Sequence, residues 1–298
     1  MNETLPYLGQ TLALLAAVIW AFAVILFKRS GETVHPIALN LFKNLLAIVL
    51  FLPTLLMTGV PLIRQIPGSE YLLFILSGVL GIAIGDTCFF KSLNRLGAGW
   101  SAIVACMYSP FMIGLSFIWL GERLAPLHIV GVLLILSSVL LTIRLKESER
   151  IKRSDLLWGV LWGVTATAVM AIGVMMIKPL LEEAPLLWAI EVRLVGGFVS
   201  LALITPLFPS GRRAISTLFS IRSWTYTVGG SFMGAYLAML AWLGGMKFTQ
   251  VSLASALNQT STIFIFVFAA IFLHEPITPR RSVAILLAVC GALLIFLG

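Results

Sequence analysis

Ten apolar runs of about twenty residues follow one another along the chain, and no soluble domain separates them. They cover roughly 7–27, 36–57, 71–93, 98–120, 126–145, 156–177, 185–206, 223–246, 251–273 and 279–297. Most exceed the ~10–14 residues of a helix buried in a soluble core, and about twenty residues at ~1.5 Å each span the hydrocarbon of a bilayer. In hydrocarbon every backbone N–H and C=O must bond within the protein, so such runs become helices. Composition agrees: the 298 residues are 60% hydrophobic and 11% charged, against roughly 25% charged in soluble domains. A globule of that make-up could not cover its surface with polar groups. The expected fold is an all-α integral membrane protein of ten transmembrane helices.

The opening MNETLPYLGQ lacks the basic region of a cleavable signal, although Ala21-Phe22-Ala23 mimics a cleavage site, so the first run reads as a retained span. The net charge is +8, but the basic residues are scattered between apolar runs, which is a membrane pattern and not a nucleic-acid one. Fourteen of the twenty Lys and Arg fall in loops after odd-numbered runs, four on the opposite side, and Lys43 and Arg193 lie inside runs. The positive-inside bias then places the odd loops in the cytoplasm and both termini outside. The three cysteines, Cys88, Cys106 and Cys290, sit singly in apolar runs with no metal-ligand spacing. No phosphate loop, zinc pattern or nucleophile elbow is present. Neither a cofactor nor an enzymatic activity is expected.

The most polar stretch, KESERIKRSD at 146–155, divides the chain into a first five-helix repeat (1–145) and a second (156–298). A shift of 153 superposes Leu120 on Leu273, Glu122 on Glu275 and Pro126 on Pro279. Nearer the start of each half, a shift of 150 superposes Gly9 on Gly159, Lys28 on Lys178 and Lys43 on Arg193. Five helices are an odd number, so the second copy must lie upside-down: the expectation is two inverted five-helix repeats, a transporter architecture.

The duplicated boundary Leu120-Gly121-Glu122 and Leu273-His274-Glu275, the small-residue-rich helix after it, and the Ser109-Pro110 step in the fourth run resemble the ten-helix EamA-like transporters of the drug/metabolite transporter superfamily. The resemblance spans essentially the whole chain. It implies a secondary transporter, often an exporter, of amino acids and other small metabolites or toxic organics. His274 stands where that family usually has glycine, and Thr262-Ile263 where the second Ser-Pro step would fall. Many of its members have cytoplasmic termini, the reverse of the charge count here.

Charges within hydrocarbon are costly and mark function by default. Lys43 lies seven residues into run two and Asp86 seven residues before the end of run three, each ~10 Å from the same membrane face. They could meet as an ion pair, either a cytoplasmic-side gate or carboxylate-handling site with Asp86 a proton carrier, or a purely structural pair; a further reading has Lys43 snorkel to the interface. Arg193 should sit at the matching depth on the other face; Glu191, about 200° around the helix from it, points elsewhere. Asn258 to Thr262 form five consecutive hydrogen-bonding side chains in run nine, equivalent to the stretch containing Tyr108 and Ser109; they line a cavity or join helices. Pro110 frees a carbonyl in the fourth run. Glu122 and Glu275 compensate the starts of runs five and ten. Trp20, Tyr236 and Trp242 stack on a substrate or simply pack. Ser77, Gly78, Gly81 and Gly85 give a small-residue face where another helix approaches. The expected substrate-binding residues are Trp20, Asn40, Lys43, Asp86, Tyr108, Glu191, Arg193, Tyr236, Asn258 and Gln259.

The function expected is alternating-access transport of amino acids or amphipathic compounds across the inner membrane, as proton-coupled efflux. The partners are a small-molecule substrate and the lipid bilayer, with room for a homodimer. Exchange or import of phosphorylated or nucleotide-linked anions is a second reading, and a membrane-embedded enzyme or assembly factor a third.

Overall fold

The computed structural model describes residues 7–120, 126–144, 152–220, 224–249, 254 and 257–297. Glu122 and most of the polar linker, 146–151, lie outside them. The described residues form helices and connecting turns without strands. They are α1 (Leu8–Ser30), α2 (Pro36–Met57), α3 (Gly68–Leu96), α4 (Ala98–Ala105 and Tyr108–Leu120), α5 (Pro126–Arg144), α6 (Arg153–Glu183) and α7 (Leu186–Ile204), then α8 (Trp224–Phe248), α9 (Ser261–Leu273) and α10 (Pro279–Leu297). A short amphipathic helix, Pro209–Ser216, joins α7 to α8. Seven of these, α1 to α4 and α6 to α8, are long and apolar enough to cross a membrane, and shorter apolar helices lie at Ile129–Leu141 and Leu257–Leu273. The chain is a multi-pass membrane protein, and large apolar side chains such as Leu45, Val49, Leu140 and Val199 point outward, away from the core.

Local chemistry sets the ends. Pro36 opens α2, and His35 Nδ1 accepts the Ile37 N–H at 3.3 Å, taking one of the donors a helix start leaves unpaired. Gly97, at φ +83°, ends α3. The helix α6 continues through Pro179 to Glu183, beyond the apolar run, which ends at 177. Its last carbonyls are taken by Lys247, whose Nζ donates to Leu181 at 2.9 Å, Glu182 at 2.9 Å and Ala184 at 2.6 Å. A cation suits that end of a helix twice over, through hydrogen bonds and through the dipole.

Two helices are irregular in mid-course. Val79–Asp86 of α3 and Phe232–Ala238 of α8 are wide π-turns, each carrying a surplus residue in the ladder. Two others are broken: α4 at Cys106–Met107, and the Leu257–Leu273 segment at Thr260. A shift of 152–153 carries each irregularity of the first half close to its counterpart in the second.

Small residues decide the packing. Ser77 Oγ donates to the Gly173 carbonyl at 2.5 Å, and Gly85 faces Met170, so the small-residue face of α3 lies along α6. On the adjoining side a Cβ at Gly78 would collide with the Arg193 carbonyl of α7, so only glycine admits this approach. The contacts of α6 with α3 run from Gly159 at Leu96 to Gly173 at Ser77, an antiparallel order. Those of α1 with α3 run from Trp20 at Phe89 to Lys28 at Asn94, a parallel one. Gly9 of α1 meets Phe248 at the end of α8 as Gly159 of α6 meets Leu96 at the end of α3. Likewise Lys28 Nζ donates to the Asn94 carbonyl at 3.3 Å, and Lys178 Nζ to the Met246 carbonyl at 2.8 Å. Beside this bundle α5 and α10 pack on each other, with Gly291 against the Gly131 carbonyl.

Candidate functional site

The helices α1, α3 and α4 of the first half and α6, α7 and α8 of the second surround a cavity of about 150 Å³, which Asn258, Gln259 and Ser261, on either side of the break at Thr260, complete. Its wall is mostly apolar, from Trp20, Phe89, Met170, Met239 and Trp242 among others. Its polar groups are Asp86, Tyr108, Thr167, Arg193, Asn258, Gln259 and Ser261.

Asp86 closes the π-turn of α3. Its Oδ2 lies 2.6 Å from Lys43 Nζ, the ion pair that their equal depths in the sequence led us to expect, and Lys43 also donates to Asn44 Oδ1 at 3.0 Å. A network continues along α2: Asn44 Nδ2 donates to Asn40 Oδ1 at 2.7 Å and to the Asn40 carbonyl at 2.8 Å. Asn40 Nδ2 in turn donates to the Ile82 carbonyl at 2.8 Å and to Thr87 Oγ1 at 2.9 Å. A π-turn leaves a carbonyl without its helical partner, and the Asn40 amide supplies one. Lys43 and Asn40 thus reach the cavity only through α3; of this network Asp86 and Ile82 border it.

Arg193 differs. It is 2% exposed, and its Nε and Nη1 have no hydrogen-bond partner. Among the described residues no carboxylate lies within 4 Å of it; Asp86 attracts it from farther away, and the Trp242 ring lies with its centroid 5.9 Å from Cζ. Tyr108 lies 6.5 Å from Trp242, ring to ring, and its buried hydroxyl is likewise without a partner. A buried cation without a counter-ion is an electrostatic vacancy that a mobile anion can fill.

The remaining expected residues separate. Trp20, Asn258 and Gln259 line the cavity. Thr262, from the same polar stretch, joins helices instead, with its Oγ1 3.2 Å from Cys106 Sγ beside the break in α4. Tyr236 is turned to α2, its hydroxyl 2.7 Å from Thr54 Oγ1 and its ring against Phe51. Glu191 is buried, its Oε2 unpartnered, and it is not part of the cavity wall.

One expectation is corrected. Glu275 does not cap its own helix α10; its carboxylate accepts the Ala98 N–H at 2.8 Å and the Gly99 N–H at 3.2 Å, at the start of α4 in the other half. Arg281 Nη1 holds the same carboxylate at 3.1 Å. A Cβ on Gly97 would come within 2.9 Å of Glu275 Oε1, so the glycine makes room for this clasp. His274 occupies the left-handed position at φ 55° that ends α9, which explains why a glycine is usual there. The sequence reading did not foresee the use of Trp242 as the neighbour of Arg193, nor the two π-turns.

The family model for EamA-like transporters matches residues 7–144 and again 157–297, once for each half. An uncharacterized transporter of Archaeoglobus fulgidus is 25% identical over 291 residues, covering 96% of this chain and 97% of its own. The uncharacterized transporter YvbV of Bacillus subtilis is 26% identical over 251 residues, 81% of this chain and 77% of that one. YhbE of Escherichia coli, an uncharacterized inner membrane transporter, is 25% identical over 164 residues, 54% of this chain and 51% of its own. A crystal structure superposes with a TM-score of 0.70 at 18% identity over 97% of this chain and 96% of the other, which establishes a shared fold. With both halves matched and the helical bundle in common, the chain belongs to the EamA-like transporter family.

Proposed function

We propose that this membrane transporter crosses the inner membrane ten times as two inverted five-helix repeats and moves small organic metabolites, amino acids or amphipathic compounds, by alternating access. Efflux is the proposed direction, with the odd loops cytoplasmic, both termini outside, and protons as the coupling ion through Asp86 or Glu191. The observation that carries the reading is the cavity between the halves, into which both contribute helices and at which Arg193 and Tyr108 remain unpartnered. Structural ion pairs neutralise themselves; a site that must accept and release a solute keeps polar groups unspent. The inversion is supported by the helix directions: α3 is parallel to α1 and antiparallel to α6, so the equivalent helices α1 and α6 run oppositely. It is also supported by Lys28 and Lys178, which make the same bond in their respective halves.

The uncompensated charge of Arg193 also suits a second reading, exchange or import of phosphorylated or nucleotide-linked anions. Purified protein in proteoliposomes with an imposed pH gradient separates the two. Gradient-driven movement of an amino acid or amphipathic solute, lost in Asp86→Asn or Glu191→Gln, supports the first. Counterflow of a phosphorylated solute that ignores the gradient supports the second. Vesicles impermeable to every solute class tested would overturn transport altogether.

A further inference from the structure

We propose that the solute carried at this cavity is an organic monoanion, a single carboxylate on an apolar or aromatic body, whose carboxylate is read by Arg193. The inference rests on the transport reading above and narrows its substrate. It follows from a count of charges around the cavity. Three charged side chains border or support it: Lys43, Asp86 and Arg193. Lys43 and Asp86 neutralise each other at 2.6 Å, which leaves one positive charge on Arg193. Nε and Nη1 of that guanidinium have no partner, and a carboxylate accepts a charge-assisted hydrogen bond from such a group at the cost of a single negative charge.

The same count weighs against other solutes. The ammonium of a zwitterionic amino acid would need an acceptor carboxylate, yet Asp86 is already held by Lys43, and Glu191 is not in the wall. A phosphate dianion would bring two negative charges to one uncommitted cation. A neutral solute would leave Arg193 buried and unpaired. The rest of the wall describes the body of the solute. Trp242 lies against the guanidinium, and Trp20, Phe89, Met170 and Met239 complete an apolar surface, so a flat or aliphatic group can lie on the rings while its carboxylate meets Arg193. The Tyr108 hydroxyl, which lacks a partner, is available to donate a further hydrogen bond.

The test uses four probes that share one ring: phenylacetate, phenylacetamide, phenylalanine and phenyl phosphate. Binding to the full chain in detergent is measured by calorimetry or tryptophan fluorescence near neutral pH. Phenylacetate is expected to bind at least about tenfold more tightly than the other three, the range a charge-assisted hydrogen bond commands. Arg193→Gln should cost phenylacetate about tenfold or more and leave phenylacetamide unchanged, whereas Arg193→Lys should recover part of the loss. Equal affinity for phenylacetate and its amide, a preference for phenylalanine or phenyl phosphate, or no binding by any probe would each overturn the proposal. The comparison of ligands on the unmodified protein needs no variant to fold. Labelled phenylacetate and phenylalanine offered to proteoliposomes keep the two readings apart. Binding of the monoanion without passage sinks transport alone, and passage of phenylalanine without any preference for the carboxylate sinks only the monoanion.

Discussion

The same family model matches the halves that hold the second and seventh helices, yet the two helices treat the positions of Lys43 and Arg193 in opposite ways. In α2, Lys43 sits between Asn40 and Asn44 and is bonded to Asp86. In α7 the equivalents of the two asparagines are Ile190 and Leu194, and the third helix of that half offers Ala238 where α3 has Asp86. Arg193 therefore keeps its charge unanswered. One half has used its intramembrane cation to hold two helices together, and the other has kept it for something that arrives. Matching positions in the two halves do not make identical roles; the neighbours one turn away do.

If that division holds, the two cations must respond differently to removal. Lys43→Ala leaves Asp86 buried without a partner and is expected to cost about 3–5 kcal/mol in the unfolding of detergent-solubilised protein. Arg193→Gln should leave stability unchanged or raise it, because it removes a desolvated charge that nothing pays back, while transport falls. A Lys43→Ala variant as stable as the parent would erase the contrast. Smaller is the effect of Asn40→Leu, which strands the Ile82 carbonyl of the π-turn and should cost about 1–3 kcal/mol in the same unfolding measurement. Ile190→Leu, at the matching place in α7, should stay below about 1.5 kcal/mol.

The boundaries after α4 and α9 differ as well, by Gly121 in one and His274 in the other. Replacing His274 by Gly relieves a left-handed residue, with an expected gain of about 1 kcal/mol in thermal unfolding. The smallest effect belongs to the helix starts. His35 caps α2, whereas Pro185 before α7 has no side-chain bond. Burial, and then the positive charge of Lys91, lowers the His35 pKa below its ordinary 6.5. The folded protein thus favours the neutral ring, and its contribution is present above that value and lost as the pH falls through it. A slight loss of stability on acidification below about pH 6.5 is expected, and His35→Asn, which keeps an acceptor that does not titrate, should abolish it in melting curves taken across that range.

Much of this was legible in the sequence because a bilayer converts position into depth. Lys43 and Asp86 could be paired from sign and depth alone, and the small residues at 77, 78, 81 and 85 announced a close helix contact. The clasp of Glu275 could not be read. A carboxylate near a helix start signals its own helix locally, whereas the amides it serves, on Ala98 and Gly99, are brought to it by the tertiary fold. The π-turns have no local signature either, since what sustains the one in α3 is an amide on another helix. Asn40 and Tyr236 are both among the expected substrate-binding residues. Their bonds, to the Ile82 carbonyl and to Thr54, depend on which neighbour faces them, and that is knowledge of the bundle and not of the chain.

The wide turns at Val79–Asp86 and Phe232–Ala238 carry a mechanical consequence. A surplus residue in a helical ladder is like a dislocation in a crystal: slip past it proceeds one bond at a time, so no stage requires the whole row to let go. Each of the two rods so equipped borders the central chamber, so the place where either helix bends most readily is also the place where it meets the cavity.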